Sequence, residues 1–184
     1  MPPQVKVPKE AIIDKAFELT RAYGFEKVTA RMLAGELKCS TQPVFHVFRN
    51  MDELKAEVYK KTQAYFEDYM LKKPPDKETP YFLSIGLRYV ELARKEKNLF
   101  RLLAMTDNGV RLKSFYDLAD NIPLPIEPEV FVKTWIFTHG VATIITNSDS
   151  KISQKEIRQM LTEAGDSFLE YKQDHGKEGS NEQH

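Results

Sequence analysis

The side chains with the most chemistry to offer stand in one short run, Val28 to Phe48 (VTARMLAGELKCSTQPVFHVF). Within it Thr41, Gln42, Phe45 and His46 fall on one face of a short helix, placing a hydroxyl, an amide, an aromatic ring and an imidazole side by side. That set matches what the major groove of DNA presents. A glutamine can bond an adenine edge through two hydrogen bonds, a threonine can reach a base or a phosphate, and a phenylalanine can lie against a thymine methyl. The other face carries Val44, Val47 and Phe48 at i, i+3, i+4 spacing, which is the pattern of an anchored side. Ser40 is placed to cap this helix, with Cys39 and Val44 as a hydrophobic staple and Pro43 in the first turn, where its missing N–H breaks no helical bond. A helix start of this kind suits a phosphate.

The element before it must fix its angle. Thr29 caps a preceding helix, with Val28 and Leu33 closing a staple over the cap. Upstream, Pro8 opens a first helix whose Ile12, Ile13, Ala16, Phe17, Leu19 and Tyr23 give a wide apolar face, and Gly24 ends it. Three helices over residues 8–50 therefore make a helix-turn-helix head. Between Gly24 and Asn50 the cations Lys27, Arg31, Lys38 and Arg49 face only Glu26 and Glu36, so binding to a polyanion should be salt-sensitive without being extreme. The competing interpretation is an ordinary surface helix, since helix-turn-helix geometry also occurs in proteins that bind no DNA.

Downstream, Asn50 and Glu53 form a capping box for a long helix reaching about Lys72, followed by a loop, KKPPDKETP. Helices follow from Tyr81 to about Lys95, Asn98 to Met105 and Val110 to Asn121, with Pro123, Pro125 and Pro128 punctuating the next connection. The run Glu129 to Asn147 is apolar around nearly its whole circumference apart from Lys133, so it needs cover on all sides. In a small helical domain its own core can cover one side and a second subunit the other. Gly140 and Ala142 would let another helix approach closely, and Ile144 lies one turn past Gly140. The next helix, opened by a Ser153/Glu156 capping box, sets Ile157, Leu161, Ala164 and Phe168 along one seam suited to helix packing. Two such helices from each of two chains would make a four-helix homodimer interface, with the core of a larger monomer as the alternative. The fold class expected is all-α, a three-helix head plus a helical C-terminal domain over 51–173, about nine helices in total, with 1–7 and 174–184 as disordered ends.

Composition narrows the function classes. The chain has 184 residues and a formal net charge of zero, so it is no bulk polyanion binder, although a small basic face can serve. A single cysteine, Cys39, allows no intrachain disulfide and fits a reducing, cytoplasmic setting. No apolar run approaches the roughly 18 residues that span a bilayer, so no membrane partner is expected. The four histidines (His46, His139, His175, His184) lack metal-ligand spacing, and neither a phosphate loop nor a nucleophile elbow is present. No enzyme activity, metal or cofactor is proposed by these residues.

Lys9 to Leu54 resembles the N-terminal DNA-binding domain of the TetR family of bacterial transcriptional regulators. The resemblance rests on Tyr23-Gly24-Phe25, Thr29, Leu33-Ala34, Ser40, Phe45, Phe48 and the run Asn50-Met51-Asp52-Glu53-Leu54. Trp135 with His139-Gly140 is similar to a Trp-x-x-x-His-Gly element of many C-terminal domains in that family. Three positions depart from the family pattern: Lys38 stands where the turn usually has glycine, Phe45 where tyrosine binds phosphate, and Met51 where a lysine does. The resemblance implies a homodimeric repressor binding a palindromic operator in double-stranded DNA. Thr29, Arg31, Thr41, Gln42, Phe45 and His46 would lie at the DNA, and Lys38, Ser40 and Arg49 nearer phosphates. It implies too an unknown small-molecule effector in the C-terminal domain, with Phe66, Tyr69, Tyr89, Phe100, Met105, Phe115, Tyr116, Trp135 and His139 as candidate walls. A helical small-molecule carrier or interaction scaffold without DNA binding is the alternative, and such a protein would not need the outward face of Thr41, Gln42, Phe45 and His46.

Overall fold

A computed structural model describes residues 7–72, 79–104, 126–148 and 152–175. Eight α-helices account for most of these residues: Lys9–Tyr23 (α1), Ala30–Glu36 (α2), Gln42–Val47 (α3), Met51–Lys72 (α4), Tyr81–Lys95 (α5), Lys97–Ala104 (α6), Pro128–Asn147 (α7) and Gln154–His175 (α8), with a 3-10 turn at Phe25–Lys27. The chain is all-α among the described residues, as its periodicity predicts. The helix expected at Val110–Asn121 lies outside the described residues, as do 1–6, 73–78 and 176–184. No helix among the described residues is long and apolar enough to cross a membrane.

Local chemistry sets most helix ends where the sequence places them. Thr29 accepts from the Met32 N–H at 3.2 Å and starts α2. Asn50 accepts from the Glu53 N–H at 2.9 Å, and the Glu53 carboxylate reaches back to the Arg49 N–H at 2.8 Å, one residue short of the usual box partner. Ser153 and Glu156 close the full reciprocal box that opens α8. Gly24 ends α1 at φ +84, a backbone conformation that glycine adopts without cost. Pro8 sits one position earlier than expected, as the extended residue before α1.

The chain packs as two compact units, Met1–Tyr69 with Glu96–Gly109 and Met70–Lys95 with Val110–His184. In the first, Ile12, Ala16, Phe17 and Leu19 of α1 are buried along with Leu33, Val44, Phe48, Leu54 and Val58. Tyr23, read from the spacing as part of that apolar face, is 53% exposed. It shares the face of Leu19 but stands in the last turn of α1, directly before Gly24 ends the helix. The α6 helix packs on α1 through Leu99, Phe100 and Leu102. A polar clamp holds its start: the buried Glu96 carboxylate accepts from Arg21 Nε at 2.7 Å and from Arg21 Nη2, with the Tyr65 hydroxyl at 3.3 Å. Asn98 adds a bond from its amide to the Arg21 carbonyl at 3.0 Å.

In the second unit α5, α7 and α8 pack on one another. Gly86 lets them meet: a Cβ there would lie 3.4 Å from Leu161 and 3.6 Å from Thr138. Arg88 is buried and satisfied, donating to the Met70 carbonyl and to Ser84 Oγ at 2.9 Å. Arg94 donates to the Ile152 carbonyl at 2.6 Å, tying α5 to the approach to α8.

Candidate nucleic-acid interface and ligand cleft

The α2–α3 connection is built by main-chain bonds around Lys38. The Cys39 N–H reaches the Ala34 carbonyl at 2.9 Å and the Lys38 N–H reaches Gly35 at 3.2 Å, the paired bonds of a Schellman motif. That motif needs a left-handed residue, and Lys38 supplies it at φ +53. The strain anticipated from a lysine in a glycine position is therefore present. Beyond the turn, Thr41 rather than Ser40 is the residue before α3, and it makes no side-chain cap bond. The reason is conformational. Thr41 already has helical angles (φ −70, ψ −15), whereas a capping side chain needs an extended backbone to reach the next N–H groups. Thr41 thus holds the position before α3 that the sequence gives to Ser40, and no side-chain bond caps the helix there. Ser40 is exposed beside the helix start.

The two faces of α3 separate cleanly. Val44 is 1% exposed and Phe48 is buried beside it, while Val47 is half-buried. Gln42, Phe45 and His46 point outward, Phe45 with 50% of its surface in solvent. Thr41 is half-buried next to them. Thr29 is exposed, and its hydroxyl oxygen is engaged by the Met32 N–H. Arg31, Lys38 and Arg49 are exposed, and among the described residues none of them pairs with a carboxylate. Glu26 is held by Lys55 at 2.9 Å, which offsets one of the two acids of the segment. A surface with unpaired cations flanking a polar-aromatic helix can attract phosphates and read base edges. Asp52 and Glu53 in the first turn of α4 and Met51 at its start leave that helix end without a cation of its own.

The candidate effector residues do not converge. Phe66 and Phe100 are buried in the core of the first unit, and Tyr69 is half-buried there. These three belong to the first compact unit, whereas Tyr89, Trp135 and His139 belong to the second. Met105, Phe115 and Tyr116 lie outside the described residues. Tyr89, Trp135 and His139 do come together in the second unit. Tyr89 and Trp135 have ring centroids 4.8 Å apart, and the Tyr89 hydroxyl lies 2.9 Å from His139 Nδ1. Burial pushes the His139 pKa below the ordinary imidazole value. Which of the Tyr89 hydroxyl and His139 Nδ1 donates is set by the tautomer of the ring.

Of these three Trp135 lines a cleft of about 200 Å³, formed by α5, α7 and α8 within the second unit. Gly86, Trp135, Thr138 and Leu161 make its buried floor, and Pro80, Thr162, Asp166 and Leu169 stand at its exposed mouth. Apart from Trp135 these residues carry no sequence signal, because no local spacing links positions on three separate helices.

The residues read as a dimer seam divide in two. Ile157 and Leu161 are buried within the chain's own core, Leu161 against Gly86, so neither is available to a partner. This corrects their assignment: α8 turns that stripe inward to α5. Ala164 and Phe168 are half-buried. Gly140 and Ile144 are exposed on α7, in line with Ile136, and both isoleucines keep 56% of their surface in solvent. No family model and no curated protein matches the chain.

Proposed function

We propose that the chain is a DNA-binding transcriptional regulator of TetR type, a ligand-responsive repressor that binds a palindromic operator as a homodimer. The observation that carries this reading is the division of α3: Val44 and Phe48 anchor it, and Gln42, Phe45 and His46 are left outward with no intramolecular duty. Gln42 would read an adenine edge, Phe45 a thymine methyl, and Arg31, Lys38 and Arg49 would meet phosphates. The exposed row Ile136, Gly140 and Ile144 supports pairing of two chains through α7, because contiguous apolar surface on one helix calls for cover. The cleft lined by Trp135 is the natural seat of an effector, which can change operator affinity only by binding two conformations unequally. A helical carrier would account for the cleft equally well. The outward face of α3 is what favours a regulator.

Selection of bound fragments from random duplexes tests the reading directly. A recurrent palindrome is expected, with half-sites about one helical turn apart or a multiple of that. On the selected site Gln42→Ala should cost about 1–3 kcal/mol at one base pair and relax specificity there. Arg49→Ala should weaken binding to all sequences alike and flatten the salt slope by roughly one phosphate contact. No enriched sequence, or a uniform loss from Gln42→Ala, overturns base reading by this helix.

A further inference from the structure

The cleft of the second unit has a chemical polarity as well as a size. Its lining among the described residues includes one charged side chain, Asp166 at the mouth, and no Lys, Arg or His. The two hydroxyls toward the floor have their protons committed elsewhere: Thr134 Oγ1 donates to the Val130 carbonyl and Thr138 Oγ1 to the Thr134 carbonyl, each at 2.8 Å. What those oxygens can still offer a ligand is lone pairs. Trp135 and Phe82, both packed against Phe131, add apolar lining. The Asp166 carboxylate and the lone pairs of Thr134 and Thr138 favour a hydrogen-bond donor carrying positive charge.

Gly165 shows how the space is made. It lies within α8 and lines the cleft, yet a Cβ built there would meet no atom within 4 Å. A glycine inside a helix costs about 1 kcal/mol relative to alanine. Gly86 offsets that cost by close packing, and Gly165 does not. Its contribution is open volume. An apolar cavity of about 150 Å³ accepts a benzene ring, so a cleft of about 200 Å³ accepts one ring with a short substituent.

We propose that this cleft binds a small aromatic amine in its protonated form, the ring over Trp135 and Leu161 and the ammonium at Asp166. The proposal deepens the effector reading above and rests on it for its regulatory meaning, but the binding itself needs no DNA. Trp135 is the only tryptophan of the chain, so its emission reports occupancy of the cleft without a label. The full-length protein is titrated with 2-phenylethylammonium, with 3-phenylpropionate as the anion of similar shape and 2-phenylethanol as the neutral one.

A saturable change in emission with the amine is expected, with affinity above that of either comparator. Asp166→Asn should weaken the amine about three- to tenfold and leave 2-phenylethanol unchanged. Gly165→Leu should fill the cleft and abolish binding of all three, with helical circular dichroism and Tm retained or raised. Equal affinity for amine and anion overturns the proposal. So does amine binding that is indifferent to Asp166→Asn or that survives Gly165→Leu, and so does no saturable change in the millimolar range. Loss of amine binding beside intact operator binding counts against the cleft alone. Amine binding with every predicted variant effect, in a protein that selects no duplex, supports the cleft and counts against the regulator.

Discussion

Helices α3 and α7 both leave large apolar side chains in water, and they do so in opposite ways. On α3 the exposed apolar group is one ring, Phe45, set between the amide of Gln42 and the imidazole of His46. On α7 it is a row, Ile136 and Ile144 either side of Gly140, with the Glu129–Lys133 ion pair one to two turns before it on the same face. A lone ring among hydrogen-bonding groups fits a surface whose apolar features are scattered methyls among donors and acceptors, which is what a major groove offers. A row of aliphatics with a glycine between them fits another helix, because close approach buries the whole row at once. The same quantity, exposed apolar area, thus points to different partners according to its neighbours.

The comparison can be broken most severely through the anchors. Phe48→Ala should cost about 3–5 kcal/mol of stability by removing the buried ring that holds α3 to the head. Phe45→Ala, on the exposed side, should leave stability within about 0.5 kcal/mol. Denaturant melts of the two variants side by side check this. Equal losses would mean that α3 has no distinct inner and outer faces. Next in size, Ile136→Glu combined with Ile144→Glu should weaken self-association by roughly a hundredfold or more, read by sedimentation. A dimer that persists in the double variant removes α7 from the interface.

A smaller effect concerns the histidine on the inner side of α7. Burial lowers the folded-state pKa of His139, so folding disfavours its protonated form. Well above the ordinary imidazole value the ring is uncharged in both states and contributes no pH dependence. As pH falls through the ordinary imidazole range the unfolded chain takes up the proton first, and stability declines until the folded ring also titrates. His139→Gln should remove that component from a pH series of melts, and an unchanged slope would show that another group carries it. Smallest is the turn before α3. Lys38→Gly should raise stability by roughly 0.5 kcal/mol, because the left-handed penalty is relieved while the unfolded chain gains freedom. Lys38→Val should lower stability.

Much of the architecture was legible in advance for a physical reason. Helix ends are decided by bonds between residues three to five apart, so Thr29, Gly24, Asn50 and Ser153 mark them from composition alone. Ser40 is the instructive miss. Its residue type is right for a cap, but Thr41 is the residue immediately before α3 and no side-chain bond caps the helix there. The two faces of α3 were equally readable, because a six-residue helix with three apolar groups on one side has a single way to be anchored.

What the sequence by itself determined is therefore the inventory of helices, their caps, and the outward set on α3. The tertiary structure alone decided which partner each apolar stripe meets. Ile157 and Leu161 look like interface residues until they are found buried in the chain's own core, and Phe66 and Phe100 prove to belong to a different compact unit from Trp135 and His139. The cleft belongs to that second class, since Gly86, Trp135 and Gly165 come from three helices separated by long stretches of chain. Amphipathic spacing tells a side chain that it must be covered. Only the packing of distant helices tells it by what.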